Sequence, residues 1–310
     1  MSQGSAMRMG GGFHPPPFLA TLKHWRWPYI FIAPFFLSFI IFELFPIIFA
    51  VYLSFMKWGG LGAMVPVGLS NYQLIFEDSS FWLGLKNTSI LWLGHIFFLI
   101  ALAFMLAVFL NSPTITGRGI YRTFFYLPNV TPIAVMGLVF GFLLETNFGL
   151  INSFLSLLHI PPVPWLAEPG WAKISVILVN IWGATGWYMV ILLAGLQNID
   201  PALYEAAAID GAGGWDKLVY ITVPSMKGLF IFCFITETIG SFQIFIEPYV
   251  LFHGTGGPQN GALTAALYMY QTAFGYHNFG YASAMSFVLF AIIVFASIIQ
   301  VRLVGEEQMI

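Results

Sequence analysis

Residues 200–228, DPALYEAAAIDGAGGWDKLVYITVPSMKG, form a polar island between two apolar runs. Asp200 can cap a helix that begins at Pro201, because proline lacks the N–H group that is unpaired at that position anyway. Gly211 lies where this helix must end, since glycine readily takes the left-handed backbone conformation. Apolar residues at helical spacing then follow, up to a break at Pro224. The stretch therefore predicts two short helices joined by a glycine turn.

The composition of the chain is that of a membrane protein. Hydrophobic residues make up 59% and charged residues 8% of the sequence, whereas soluble domains are about 25% charged. Crossing a bilayer takes about 20 residues of helix, and continuous runs of this length indicate helices rather than a barrel. There is no basic patch, which argues against a nucleic-acid partner. We expect six spans, at residues 28–55, 89–110, 124–144, 174–196, 228–252 and 282–304.

The positions of lysine and arginine predict the orientation in the membrane. Placing the N-terminus in the cytoplasm puts eight of the 11 basic residues inside and three outside. Those inside are Arg8, Lys23, Arg26, Arg118, Arg122, Lys217, Lys227 and Arg302, and those outside are Lys57, Lys86 and Lys173. Because cytoplasmic loops carry an excess of Lys and Arg, we expect both termini inside. The same choice places the polar island in the cytoplasm.

The polar island resembles the EAA loop of permease subunits in ATP-binding-cassette importers, and the stretches at 161–166, 193–199 and 255–258 resemble the sugar-importer branch of that family. The pattern of this binding-protein-dependent transport family is Glu-Ala-Ala, then Asp-Gly-Ala, then Ile-x-x-Pro. The matching positions are Glu205, Ala206, Ala207, Asp210, Gly211, Ala212, Ile221 and Pro224. Gly228 stands where the family often has a proline. The alternative for the island is an ordinary helix hairpin that packs on the spans of its own chain.

The resemblance covers roughly residues 28–304 and implies an organisation for the whole chain. It implies an all-α integral membrane protein with six transmembrane helices, in the MetI-like fold of type I importer permeases. Residues 1–27 would be a disordered cytoplasmic head, residues 28–304 the permease domain with its hairpin at 200–228, and residues 305–310 a cytoplasmic tail. The location would be the inner membrane of a bacterial or archaeal cell.

The resemblance also implies partners. These are a second, homologous permease, two ATPase subunits, an extracellular or periplasmic solute-binding protein, and a sugar. The eight matched positions would couple the chain to the ATPase. The chain has no Gly-Lys dipeptide and therefore no phosphate loop of the common type. ATP and Mg²⁺ would bind the partner ATPase, and we expect no catalytic residue, cofactor or metal site on this chain, which is not itself an enzyme.

Aromatic and polar side chains within the fourth and fifth predicted spans indicate where a sugar would pass. Sugars expose hydroxyl groups and apolar C–H faces, so their sites combine aromatic rings with a few polar groups. The candidate path residues are Trp182, Trp187, Tyr188, Phe242, Gln243 and Glu247. Polar groups at membrane depth indicate function because exposing them to lipid is costly. Alternatively, the tryptophans fill helix contacts or an interfacial belt, and the glutamates bond between helices.

Three polar residues within the apolar runs have no assigned role: Glu43, His95 and Glu237. His95 is either a satisfied core residue or a proton relay. An ion-coupled secondary transporter is the main alternative function, with Glu43, Glu237 and Glu247 as its coupling sites, but it leaves the hairpin unexplained. A receptor or scaffold would need no polar residues in the fourth and fifth spans. The identity of the solute is not readable from the sequence.

Overall fold

The computed structural model describes the backbone of residues 18–305 and the side chains of residues 29–302. Within these residues the regular elements are helices and one two-stranded antiparallel ribbon, β1 (Met56–Lys57) and β2 (Val65–Pro66). The helices are α1 (Phe18–Phe39), α2 (Phe45–Ser54), α3 (Ser70–Glu77), α4 (Ser79–Asn111), α5 (Arg118–Val130), α6 (Ile133–Leu143), α7 (Leu150–Leu157), α8 (Pro169–Gln197), α9 (Pro201–Ile209), α10 (Gly214–Lys217), α11 (Val223–Ser225), α12 (Lys227–Phe242), α13 (Ile246–Leu251), α14 (Ala265–Tyr270) and α15 (Phe279–Gly305). These elements confirm the predicted all-α class.

Two compact units make up the chain, one ending at Tyr52 and one beginning at Leu53. In the first unit, a π-helical turn at Ile40–Leu44 joins α1 to α2 and carries the exposed Glu43. Helix α1 begins at Phe18, so part of the head predicted to be disordered, residues 18–27, has a helical backbone. Residues 1–17 of that head and residues 306–310 of the predicted tail lie outside the described residues.

Four helices of the described chain are long and apolar enough to cross a membrane: Tyr29–Ser54, Ser79–Asn111, Pro169–Gln197 and Phe279–Arg302. Two bent pairs raise the number of spans to six if each pair counts as one. The first pair is α5 with α6, bent by 95°, and the second joins Gly214–Ser225 to α12, bent by 65°. The predicted third span is therefore not a straight helix, and the second bend lies just before the predicted fifth span.

Pro132 explains the bend in the third predicted span. A residue that precedes proline is driven out of the helical region by a clash with the proline ring. Thr131 accordingly has an extended backbone with ψ of 128°, between α5 and α6. Residues 124–144 thus form two helices that meet at a sharp angle.

The fifth predicted span, 228–252, is interrupted between Phe242 and Ile246. In a continuous helix, Pro248 would clash with the carbonyl group of Ile244 and would offer it no N–H group. The structure resolves this conflict by ending α12 before Ile244. The Ile244 carbonyl instead accepts a hydrogen bond from Thr264 Oγ1 at 2.7 Å.

Helices α4 and α8 form the centre of the second unit. Their facing sides bury small and branched residues, among them Ala103, Ala107, Leu192 and Leu193. Helix α5 packs on α8, and α12 and α14 pack on α4. A Cβ atom at Gly186 of α8 would collide with the Phe125 carbonyl of α5, so only glycine permits this close approach. This arrangement fixes α12, the helix that leaves the hairpin, against the central α4.

Asp78 joins the start of α4 to two distant helices. Its Oδ1 atom caps α4 by accepting the Ser80 and Phe81 N–H groups at 2.9 and 3.2 Å. Its Oδ2 atom accepts hydrogen bonds from the hydroxyls of Tyr268 and Tyr281 at 2.8 and 2.7 Å. Burial alone would raise the pKa of Asp78, but these four hydrogen bonds outweigh it and leave the pKa below its usual value. Burial and the adjacent carboxylate raise the pKa of Tyr268 to about 12.

We expect Asp78→Asn to lower the free energy of unfolding by about 1 kcal/mol, because asparagine still caps the helix but offers the two tyrosine hydroxyls an uncharged acceptor. Because the pKa of Asp78 is depressed on folding, its contribution is complete above the ordinary aspartate pKa and is lost as the pH falls through the lowered value. Thermal unfolding of the purified protein at several acidic pH values measures both effects. The neighbouring exposed Glu77→Gln is the control, and equal pH dependence in the wild type and Asp78→Asn would contradict the assignment.

Candidate functional site

The two predicted short helices are present at residues 200–228. Helix α9 is capped by Asp200, whose Oδ1 accepts the Ala202 N–H at 2.9 Å. It ends at a turn in which Gly211 has a φ of 81°, a conformation that disfavours any residue with a Cβ atom. Asp216 then accepts the Gly213 N–H at 2.9 Å, which stabilises the start of α10. The local signals in the sequence are therefore sufficient to explain the hairpin.

The second helix of the hairpin runs further than predicted. From α10 it continues through a π-helical turn, Leu218–Thr222, into α11. The sequence predicted a break at Pro224, but Pro224 lies within α11, directly after the π-helical turn, and the helix continues to Ser225. The chain changes direction only at Met226, before α12 begins.

The hairpin presents an exposed surface, which we call the hairpin surface and define by Glu205, Ile209, Trp215 and Tyr220. All four side chains are exposed, and Ile209 is 88% exposed. The two arms are held together by a hydrogen bond of 2.9 Å between the hydroxyls of Tyr204 and Thr222. A group of exposed apolar side chains with a carboxylate among them is typical of a protein-docking surface.

The eight positions that match the EAA pattern lie on or beside this surface. Glu205, Ala206, Asp210, Gly211 and Pro224 are exposed, and Ala207, Ala212 and Ile221 are half-buried. A cavity of about 370 Å³ lies under the hairpin, between the end of α8, α9 and the start of α12. The hairpin is therefore packed only in part against α8 and α12.

The six candidate path residues do not lie together. Trp182 is 44% exposed and its ring contacts Phe140 of α6, with 5.4 Å between the centroids. Trp187 is 47% exposed and lines a cavity of about 450 Å³ with Arg122 and Tyr126 of α5. Both tryptophans therefore lie on the face of α8 that α5 and α6 partly cover.

The other four candidates are on or beside α12. Tyr188 is buried, with its hydroxyl 3.5 Å from Thr236 Oγ1. Phe242 and Glu247 are also buried, on either side of the break, and the Phe242 ring contacts Trp92 of α4. Gln243 is exposed at the break itself and lines a cavity of about 510 Å³ between α12 and α15. The structure therefore separates the tryptophans from Gln243.

A buried polar contact that the sequence did not reveal joins α4 to α12. His95 Nε2 lies 2.7 Å from Glu237 Oε1, and His95 Nδ1 lies 2.6 Å from the Leu91 carbonyl. Ser241, one turn after Glu237, places its hydroxyl 3.3 Å from His95 Nε2. Because the Leu91 carbonyl only accepts, Nδ1 must donate, and one proton remains for the bond between Nε2 and Glu237. The pair is therefore neutral as a whole, wherever that proton resides.

A second polar contact lies on the same helix. Thr238 Oγ1 accepts hydrogen bonds from Trp92 Nε1 of α4 at 2.9 Å and from Gln300 Nε2 of α15 at 2.7 Å. Within the described residues, no three His, Cys, Asp or Glu side chains are grouped as metal ligands. These contacts hold α12 between α4 and α15.

We expect His95→Ala to lower the free energy of unfolding by roughly 2–3 kcal/mol, because it leaves the buried Glu237 without its partner. Glu237→Gln should cost less, since an amide still bonds to the imidazole. Thermal unfolding in detergent compares the variants. His159→Asn, at an exposed position, is the control, and a His95→Ala protein as stable as this control would show that the contact does not hold α12.

The fold and the exposed hairpin define a helical, multi-pass membrane permease. A family model described as "Binding-protein-dependent transport system inner membrane component" matches residues 99–305. The chain belongs to this family.

Curated relatives align over nearly the whole chain. The lactose transport system permease protein LacF of Rhizobium radiobacter is 36% identical over 284 residues, which cover 90% of this chain and 94% of the relative. The arabinooligosaccharides transport system permease protein AraP of Bacillus subtilis (strain 168) is 35% identical over 305 residues, which cover 96% of each chain.

A solved structure shows the same fold. It is a bacterial alginate ABC transporter in complex with an alginate pentasaccharide-bound periplasmic protein, and its matching chain superposes with a TM-score of 0.78. The match covers 91% of this chain and 95% of that chain at 22% identity. The MetI-like fold predicted for the chain is confirmed by this likeness.

Proposed function

We propose that this permease forms half of the solute path of an ATP-driven importer for sugars, and that its hairpin receives force from a separate ATPase. Two relatives support a sugar as the solute, because they align over most of the chain and their names include lactose and arabinooligosaccharides. The single observation that carries the coupling role is the exposed hairpin surface around Glu205. A second permease, two ATPase subunits and a solute-binding protein complete the assembly.

The break between α12 and α13 marks the solute path. Interrupted helices at membrane depth are tolerated where they are buried in protein or line a cavity, and they are the usual pointer to a transporter's binding site. Gln243 lies at this break, on a cavity, and Phe242 and Glu247 flank it. These three, with the nearby Tyr188, remain the candidates for solute contact, whereas Trp182 and Trp187 line a different part of the protein.

The same helix connects the solute path to the hairpin. Helix α12 begins at Lys227, directly after the hairpin, and ends at Phe242, at the break. When an ATPase dimer closes on ATP, the hairpin moves and α12 transmits that movement to the path. Solute access then alternates between the two sides of the membrane.

The main alternative is an ion-coupled secondary transporter. For such a transporter, α12 offers no free carboxylate as a coupling site. Glu237 is bonded to His95 in a neutral pair, and a coupling site must bind and release its ion or proton in each cycle. Family membership also favours a binding-protein-dependent system. Uptake by the complete transporter should therefore depend on ATP and persist when ion gradients are collapsed.

We expect Glu205→Ala and Gly211→Val to reduce solute-stimulated ATP hydrolysis by about tenfold or more while membrane insertion is unchanged. Gly211→Val introduces a Cβ atom where φ is 81°, which costs about 1–2 kcal/mol and displaces the turn. Glu205→Ala removes the carboxylate from the hairpin surface. Co-purification of the ATPase and its hydrolysis rate are the measurements.

Glu168→Ala is the matched control, since Glu168 is exposed and its side chain caps no helix. Full stimulated hydrolysis in both hairpin variants would refute the coupling role. Uptake by the purified chain alone, without an ATPase, would refute the whole proposal.

The proposed orientation has its own test. Cys233 is the only cysteine and is buried, so Cys233→Ser gives a background for single-cysteine labelling. Ile209→Cys on the hairpin and Leu61→Cys beside the ribbon replace side chains that are 88% and 92% exposed. We expect an impermeant maleimide added to intact cells to label the variant at position 61 and not that at position 209. The reverse pattern would place the hairpin outside.

A further inference from the structure

We propose that a row of aromatic rings at the far end of α12 from the hairpin is an entry subsite that stacks on sugar rings before they reach the helix break. This proposal rests on the function proposed above. We call the row the aromatic strip, and it consists of Trp58, Phe245, Tyr249, Tyr270, Phe274 and Phe279.

The rings of the strip form one continuous series. The centroid distances are 5.7 Å from Trp58 to Phe279, 5.5 Å from Phe279 to Phe274 and 4.9 Å from Phe274 to Tyr270. Tyr270 then contacts Phe245 at 4.6 Å and Tyr249 at 5.4 Å. These separations are those of interacting aromatic pairs.

The rings of the strip come from segments that are far apart in the sequence. Phe245 lies in the break after α12, Tyr249 in α13, and Tyr270 at the end of α14. Phe279 begins α15, and its N–H donates to the Trp58 carbonyl beside the ribbon at 3.0 Å. Rings contributed by such distant parts of the chain meet only because the fold assembles them.

The strip lies at the opposite end of α12 from the hairpin. Helix α12 leaves the hairpin at Lys227 and has 16 residues, so its far end is about 24 Å away. Phe245 follows three residues after that end. In the proposed orientation the strip faces the side from which a solute-binding protein delivers its cargo.

The strip remains accessible although its members contact one another. Phe274 is 57% exposed and Tyr249 is 36% exposed. A cavity of about 370 Å³ is walled by Phe245, Tyr270, Phe274 and Phe279. Ligand pockets have volumes of about 300–1,000 Å³, so this cavity has room for a single sugar ring.

The lining has the chemistry that a sugar ring requires. The face of an aromatic ring carries partial negative charge, which attracts the polarised C–H groups on the apolar face of a sugar. Ser283 and Ser286 of α15 line the same cavity and supply hydroxyl partners for the equatorial edge. Rings of an interfacial belt anchor a protein individually in lipid, whereas these rings wall a cavity together.

The test uses the complete transporter in proteoliposomes, with its binding protein and a panel of lactose, arabinotriose, diacetylchitobiose and maltotriose. Phe274→Leu keeps apolar bulk at an exposed position and removes the aromatic face, and Phe274→Trp restores that face. Phe98→Leu is the matched control, because Phe98 on α4 is also exposed and lies outside the strip. Uptake kinetics with sugar-loaded binding protein and basal ATP hydrolysis are measured together.

We expect Phe274→Leu to lower the kcat/KM of uptake by about fivefold to tenfold, the range that one aromatic contact supports. Phe274→Trp and Phe98→Leu should stay within about twofold of the wild type, and basal hydrolysis should not change in any of the three. If Phe274→Leu transports as well as Phe98→Leu, the strip is no subsite, although the importer function stands. A wild-type transporter whose uptake of a panel sugar does not depend on ATP overturns the proposed function, and the strip proposal with it.

Discussion

A carbonyl group that loses its helical partner inside a membrane must find another donor, and in this protein the carbonyl of Ile244 does so. Pro248 prevents α12 from continuing as a regular helix, and Thr264 provides the replacement hydrogen bond to Ile244. Without that hydroxyl, the break would leave an unsatisfied group at a cost of several kcal/mol in lipid. The break turns Gln243 outward onto a cavity and sends Phe245 towards the aromatic strip. One proline and one threonine thus determine where α12 ends and where Gln243 and Phe245 lie.

The contacts on either side of α12 determine what the helix can transmit. His95 holds Glu237 from α4, while Trp92 and Gln300 hold Thr238 from α4 and α15. Hydrogen bonds of this kind are directional, so they fix the rotation of α12 about its own axis as well as its position. These contacts resist twisting of α12 about its axis. A movement of the hairpin at one end of α12 would therefore displace the whole helix and reach the break at its other end.

The sequence was sufficient for features whose causes are local. The cap at Asp200 and the turn at Gly211 each depend on neighbouring residues, and both were predicted correctly. The bend at Pro132 has an equally local cause, but apolar length alone does not show it, which is why residues 124–144 were taken as one span. The pair of His95 and Glu237 has no local signal, because its members are 142 positions apart. The aromatic strip is hidden for the same reason, in a chain that is 18% aromatic.

The neutral character of the buried pair follows from where it lies. An isolated charge in the interior of a helix bundle costs several kcal/mol, whereas an acid and a base that share one proton carry no net charge. His95 and Glu237 can therefore join two helices at membrane depth without attracting an ion into the protein. In the proposed importer the energy for transport comes from a separate ATPase, and the exposed carboxylate of Glu205 is the group proposed to meet that ATPase.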